Sequence, residues 1–268
     1  MISVLFNWLY ILFTTTCLGY GFSKFVSKKL HCNIKKFEVL VAICLIISTV
    51  YAQVFSLFYK VGLIANLILL AVCFIILIIY KKEFFKDIKY HFQNTSRVKK
   101  IVILFLIIFW AFFTSRGYIH YDSDLYHAQS IRWIEEYGIV KGLGNLHVRL
   151  AYNSSIFAVS ALYSMKFLLG QSLHTVNGFM ALFLSISILD IMDSFQRKKF
   201  LLSDYVRIAA IYYLTLICDE IVSPASDYAI MITIFYIVIK WAEAIEKKEK
   251  SIVPYELLCV GGVYAISL

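Results

Sequence analysis

Residues 101–114 read IVILFLIIFWAFFT, and residues 115–127 continue as SRGYIHYDSDLYH. The first stretch holds no charge, proline or glycine, so it is expected to form an apolar helix. The second places Asp122 and Asp124 one residue apart, just beyond the mouth of that helix. Carboxylates are expensive to keep beside a membrane helix. Where they occur, they mark sites for a cation, a proton or a phosphorylated substrate.

The composition around this stretch is of the same kind. Hydrophobic residues make up 61% of the 268 residues and charged residues 16%, too few charges to cover a soluble globule. Apolar segments run from Ile2 to Phe22, Phe37 to Phe58 and Val61 to Tyr80, with more after residue 100. Roughly 20 apolar residues carry a helix across a ~30 Å hydrocarbon core. The expected fold is all-α, a polytopic transmembrane helix bundle of about eight membrane segments. Residues 1–100 supply three helices, and residues 101–268 supply a core with an external loop bearing interfacial helices. The last apolar segment, Tyr255 to Leu268, is 14 residues long, or about 21 Å of helix. It is too short to span, so the sequence is expected to stop part-way through a larger protein.

The net charge of +9 does not point to nucleic acid, because the basic residues sit in short clusters between apolar segments. No basic region precedes the first apolar segment, as a cleavable signal peptide would require. The six cysteines are scattered without a CxxC pair, which favours neither a disulfide framework nor a metal site. No Gly-rich phosphate loop, HExxH or GxSxG is present.

The basic clusters set the expected topology. Lys24, Lys28, Lys29, Lys35 and Lys36 place the first connection in the cytoplasm and the N-terminus outside. Lys81 to Lys100 holds seven Lys or Arg against two acids and is again cytoplasmic. Residues 101–114 then run outward, and Asp122 and Asp124 lie outside. The stretch Ala151 to Leu169 either spans or lies as an interfacial or re-entrant helix. The second choice puts both Arg197-Lys198-Lys199 and Lys247-Lys248-Lys250 inside, and it is preferred. It also brings Asp219, Glu220 and Asp227, in the external turn around Pro224, to the same side as Asp122 and Asp124.

Within the external loop, residues 116–171, Leu125, Ala128, Ile131 and Ile134 recur at helical spacing. They suggest a short interfacial helix anchored by Trp133. Ser123 or Asp124 could simply cap that helix, which leaves a second carboxylate and His127 at the same spot unexplained. His147 and Arg149 follow the glycine-rich stretch Gly138 to Gly144. They could hold a phosphate, or Arg149 could reach lipid headgroups instead. Asp190 and Asp193 are read as inner-edge residues without a role.

The order of these features resembles the GT-C superfamily of membrane glycosyltransferases over roughly Ile101 to Lys250. The pattern Asp122-x-x-x-Tyr126, followed by Trp133 and Gly138, is similar to the first external loop of that superfamily. Asn153 to Gly170 and Ser223-Pro224 with Asp227 are similar to its later elements. Asp124, where an adjacent Glu would be usual, is the departure. The resemblance implies sugar transfer from a polyprenyl-phosphate donor to a glycan or lipid acceptor, outside a bacterial cytoplasmic membrane. It implies Asp122 as the base, with Asp124 as the second catalytic carboxylate. It further implies His127, Arg132, His147, Arg149 and Asp227 as substrate-binding residues, and Asp124 with Asp227 as holders of Mg or Mn. A polysaccharide polymerase and a proton- or cation-coupled transporter or flippase are the alternatives.

Overall fold

The computed structural model describes residues 1–30, 37–116, 120–247 and 261–262. Among these the chain is helical throughout, with no strand. Helices α1 (Ile2–Leu30), α2 (Phe37–Ser56) and α3 (Leu63–Asn94) form one packed group. Helix α4 (Arg97–Thr114) packs on α8 (Val176–Ile188), and α10 (Leu202–Ile217) pairs with α11 (Ser226–Glu246). Between them lie α5 (Ala128–Tyr137), α6 (Ser155–Tyr163), α7 (Lys166–Leu169) and α9 (Asp193–Arg197).

Among the described residues, five helical stretches are long and apolar enough to cross a bilayer: Ile2–Lys29, Glu38–Ser56, Leu63–Asn94, Val176–Arg197 and Ser226–Glu246. The chain is therefore a multi-pass membrane protein. The expected count of about eight segments is corrected to these five by length and composition. Helix α4, 18 residues opening with Arg97, Lys99 and Lys100, and α10, 16 residues, fall short of that measure, although both run from the Lys99 and Asp204 end to the Arg116–Asp219 end. The segment Tyr255 to Leu268 lies outside the described residues apart from 261–262.

Charged side chains gather at one end of the bundle. Lys24 pairs with Glu83, Lys240 with Glu38 at 2.7 Å, and Lys99 with Asp190 at 2.9 Å and Asp193 at 3.1 Å. Arg197 reaches Asp204 at 2.7 Å, and Arg207 joins Asp204 to Glu243. Arg197 and Lys247 therefore share an end with Lys24, Lys28 and Lys29, as the charge pattern requires. Lys35, Lys36, Lys248 and Lys250 lie outside the described residues.

The stretch Ala151 to Leu169 does not span. Helix α6 has nine residues, about 14 Å, and every one of them is buried. It packs on α2 and α5. A helix that stops inside protein must satisfy its last carbonyls. Asn7 Nδ2 of α1 donates to Tyr163 O at 2.7 Å, and Asn66 Nδ2 of α3 donates to Leu162 O at 3.0 Å. These two amides explain why Asn is tolerated in otherwise apolar helices. Replacing Asn66 with Ala is expected to destabilise the protein by ~1–3 kcal/mol, because a buried carbonyl loses its donor. Thermal unfolding in detergent checks this, and an unchanged midpoint would mean that the α6 terminus is hydrated.

Helix α8 meets α4 where Gly178 faces Thr114. A Cβ at Gly178 would collide with the Thr114 side chain, so the close approach of the two helices depends on this glycine.

Candidate functional site

The end of the bundle opposite the ion pairs carries the site. The turn after α2 is tied to α5 by Val61 N donating to Ile134 O at 3.0 Å and Ile139 N donating to Ser56 O at 2.9 Å. Gly138, at φ +79°, makes this join possible, since a Cβ there would press on Ser56 O and Tyr59 O.

Asp122 and Asp124 do not behave as helix caps. A π-helical turn, Ser123–His127, leads into α5, and the Asp122 side chain makes no capping bond. The Asp122 backbone N–H instead donates to His120 Nδ1 at 3.3 Å. The Asp122 carboxylate is ion-paired with the Arg149 guanidinium, and both side chains are about one-third exposed (31% and 37%). Arg149 also lies over the Tyr126 ring, 5.4 Å from its centroid. Tyr126 in turn meets His127 at 4.1 Å and Tyr152 at 5.9 Å between centroids.

The second acidic segment comes to the same place. Ser123 Oγ hydrogen-bonds Ser223 Oγ at 2.8 Å, across 100 residues of sequence. Arg116 pairs with Asp219, and the Tyr228 hydroxyl donates to Glu220. Asn177, buried in α8, anchors the turn by donating Nδ2 to Ser223 O and Ala225 O, each at 2.9 Å. Asp227 opens α11 without capping it. It lies close enough to Tyr126 and His127 to act on both rings electrostatically.

His127 is 3% exposed, and its Nδ1 has no hydrogen-bond partner among the described residues. Burial pushes its pKa down to about 4, against the opposing pull of the Asp122 and Asp227 carboxylates. The folded protein therefore holds this imidazole neutral while an unfolded chain, with a value of 6.5, would take up a proton. Stability is expected to be full above pH 6.5 and to fall as the pH drops toward 4. Thermal midpoints across this range check the point, with His127→Gln expected to flatten the dependence. Burial likewise raises the Tyr126 hydroxyl, with Asp122 adding to the rise and Arg149 opposing it.

The remaining expected site residues are placed elsewhere. Arg132 is on the exposed face of α5 and donates to Glu136 one turn on at 3.1 Å, so it does not join Asp122. Lys166 also binds Glu136, and these two cations hold that carboxyl below its usual range. His147 is exposed and accepts the Arg149 backbone N–H at 3.3 Å, the local cap of a short 3-10 turn. Asp124 is exposed and makes no bond among the described residues. No three His, Cys, Asp or Glu side chains converge as a metal cradle there. Asp124 and Asp227 are therefore not joined by a third such ligand among the described residues, and Asp122 is paired with Arg149.

The buried face of α5 also differs from the expected one. Ile131 is buried as its spacing requires, but so are His127, Ser130 and Glu135. The helix packs on α6. Glu135 is satisfied by Ser172 Oγ, at 2.9 and 2.7 Å from its two oxygens. His120, Tyr152 and Asn177 belong to the site and were not expected. Only Asn177, an amide inside an apolar helix, carries a signal in sequence.

Fold and site together define an all-helical, multi-pass membrane protein with an acid–arginine cluster at one end of its bundle. The whole chain, residues 1–268, matches the family described as Domain of unknown function (DUF8201), and it belongs to that family. No curated protein and no solved structure matches it.

Proposed function

We infer that the chain transfers a sugar from a polyprenyl-phosphate donor to a glycan or lipid acceptor. The reaction takes place on the outer side of a bacterial cytoplasmic membrane, in cell-surface polysaccharide or glycolipid synthesis. The observation that carries this reading is the Asp122–Arg149 pair, set beside Asp227 where two distant segments meet. Sidedness rests on the basic residues gathered at the opposite end.

In the free protein Asp122 and Arg149 neutralise each other. An arriving lipid phosphate competes for the guanidinium, which matches its oxygens bidentately. Asp122 is then free to take the proton of the acceptor hydroxyl as that oxygen attacks the anomeric carbon. The new C–O bond forms, the bond from that carbon to the phosphate oxygen breaks, and its electron pair leaves with the lipid phosphate. Arg149 stabilises the charge that develops there. Neutral His127 walls the site without competing for the phosphate.

Thiol protection tests this reading. In a cysteine-free background, Ser123→Cys and Ser226→Cys should both react with an impermeant maleimide from outside, and a polyprenyl-phosphate sugar should protect both. Reaction at only one of them, or no protection, contradicts the reading.

A transporter is the second reading. It is favoured by Asp204, Arg207, Lys240 and Glu243, ionisable groups buried in the helix bundle. These four are paired with one another or with neighbours. The glycosyltransferase reading is preferred because its charges are partly exposed at a helix mouth, where a substrate reaches them.

A further inference from the structure

Beside the charged cluster lies a chamber of about 240 Å³ between α5 and the chain from Gly138 to Asn153. No charged side chain lines it. Its walls are mostly apolar. Trp133, Tyr152 and Phe157 supply aromatic surface, aliphatic side chains between Ile134 and Leu150 supply more, and Gly138, Gly142 and Gly144 add backbone. Ser130, more than nine-tenths buried, lines the chamber with a hydroxyl that has no partner among the described residues. Asn153 adds an amide at the rim.

We propose that this chamber binds one neutral monosaccharide ring of the transferred or accepting sugar. The proposal rests on the glycosyltransferase reading and names the part of the substrate held there. A sugar ring has C–H faces that lie on aromatic rings and hydroxyls that need peptide and amide partners. A lipid chain would leave the buried Ser130 hydroxyl unmatched. A sugar phosphate would find no cation inside. The volume is just under the ~300–1,000 Å³ of typical ligand sites, so it suits one ring rather than an oligomer.

The chamber also adjoins the reacting groups. Its Tyr152 meets Tyr126, over which Arg149 sits, and its Phe157 ring centroid lies 5.7 Å from that of His127. A ring held against Tyr152 therefore lies next to Tyr126, the residue that Arg149 overlies.

Saturation-transfer difference NMR on the full chain in nanodiscs tests this, with glucose, galactose, N-acetylglucosamine and glucose 1-phosphate as probes. At least one neutral sugar is expected to give a signal. Tyr152→Ala should weaken its binding by about fivefold or more, as lost aromatic stacking implies. Tyr152→Phe should keep it. Because Tyr152 is 56% exposed, its removal leaves the fold in place. If no neutral sugar gives a signal, or Tyr152→Ala binds unchanged, the chamber is not a sugar site, whatever the transfer activity. Sugar binding of the expected pattern in a protein that transfers nothing supports the chamber and overturns only the glycosyltransferase reading.

Discussion

Replacing Asp122 with Asn is expected to lower sugar transfer by a factor of ~10²–10⁴, the usual contribution of a positioned general base. Asn keeps the size and shape of the side chain but accepts no proton from the acceptor hydroxyl. The substitution should leave the fold intact, because the Asp122–Arg149 pair is about one-third exposed and such pairs contribute little to stability. Arg149→Gln should also slow transfer, by ~10²–10³, through the leaving phosphate rather than the nucleophile. The two are separable in steady-state kinetics. Asp122→Asn should change kcat with little effect on the KM for donor, while Arg149→Gln should raise that KM as well. Wild-type kcat in Asp122→Asn would remove it from the role of base.

The largest expected effect on stability lies at the other end of the molecule. Arg207 is 2% exposed and joins Asp204, which is fully buried, to Glu243 on the neighbouring helix. Asp204 is held further by Arg197 at 2.7 Å and by the Leu201 backbone N–H at 2.9 Å. Arg207→Met removes the central cation and leaves two buried carboxylates short of donors. Breaking a buried pair costs up to ~3–5 kcal/mol, softened here because Asp204 keeps Arg197 and Glu243 keeps Lys240 at 3.3 Å. The thermal midpoint in detergent should fall by on the order of 10 °C. Adding Glu243→Gln should recover part of the loss, since Lys240 retains Glu38 at 2.7 Å. A stability within ~0.5 kcal/mol of wild type would mean that the cluster is solvated, as ordinary surface sites are.

Sequence patterns captured the parts of this molecule that depend on local composition. The long apolar runs of α1, α2, α3 and α11 became helices of spanning length. Charge counting led to a non-spanning Ala151 to Leu169 and to the meeting of the 122–124 and 219–227 segments, which the Ser123–Ser223 bond now joins. Pairings between distant helices left no local trace. Arg207 and Glu243 are 36 residues apart, and nothing near either residue names the other. Asn7 and Asn66 read as isolated polar residues until the α6 terminus supplies the carbonyls they satisfy. Arg132 was expected in the site from the resemblance, and His147 because its side chain suits phosphate. Both are engaged within their own turns by neighbours that residue type alone does not weigh. The buried face of α5 was misjudged for a related reason. Glu135 and His127 are polar, yet both face protein, where Ser172 and the aromatic rings receive them.

Following both ends of the donor at once is the most direct test of sugar transfer at the Asp122–Arg149 cluster. The full chain in proteoliposomes is given a polyprenyl-phosphate sugar labelled with carbon-14 in the sugar and phosphorus-32 in the phosphate, together with a mixed glycolipid acceptor fraction. The expected result is separation of the labels. Carbon-14 should pass to the acceptor while one lipid phosphate is released per sugar, and Asp122→Asn should abolish the separation. If both labels stay on one lipid, or cross the bilayer together, the cluster does not catalyse glycosyl transfer.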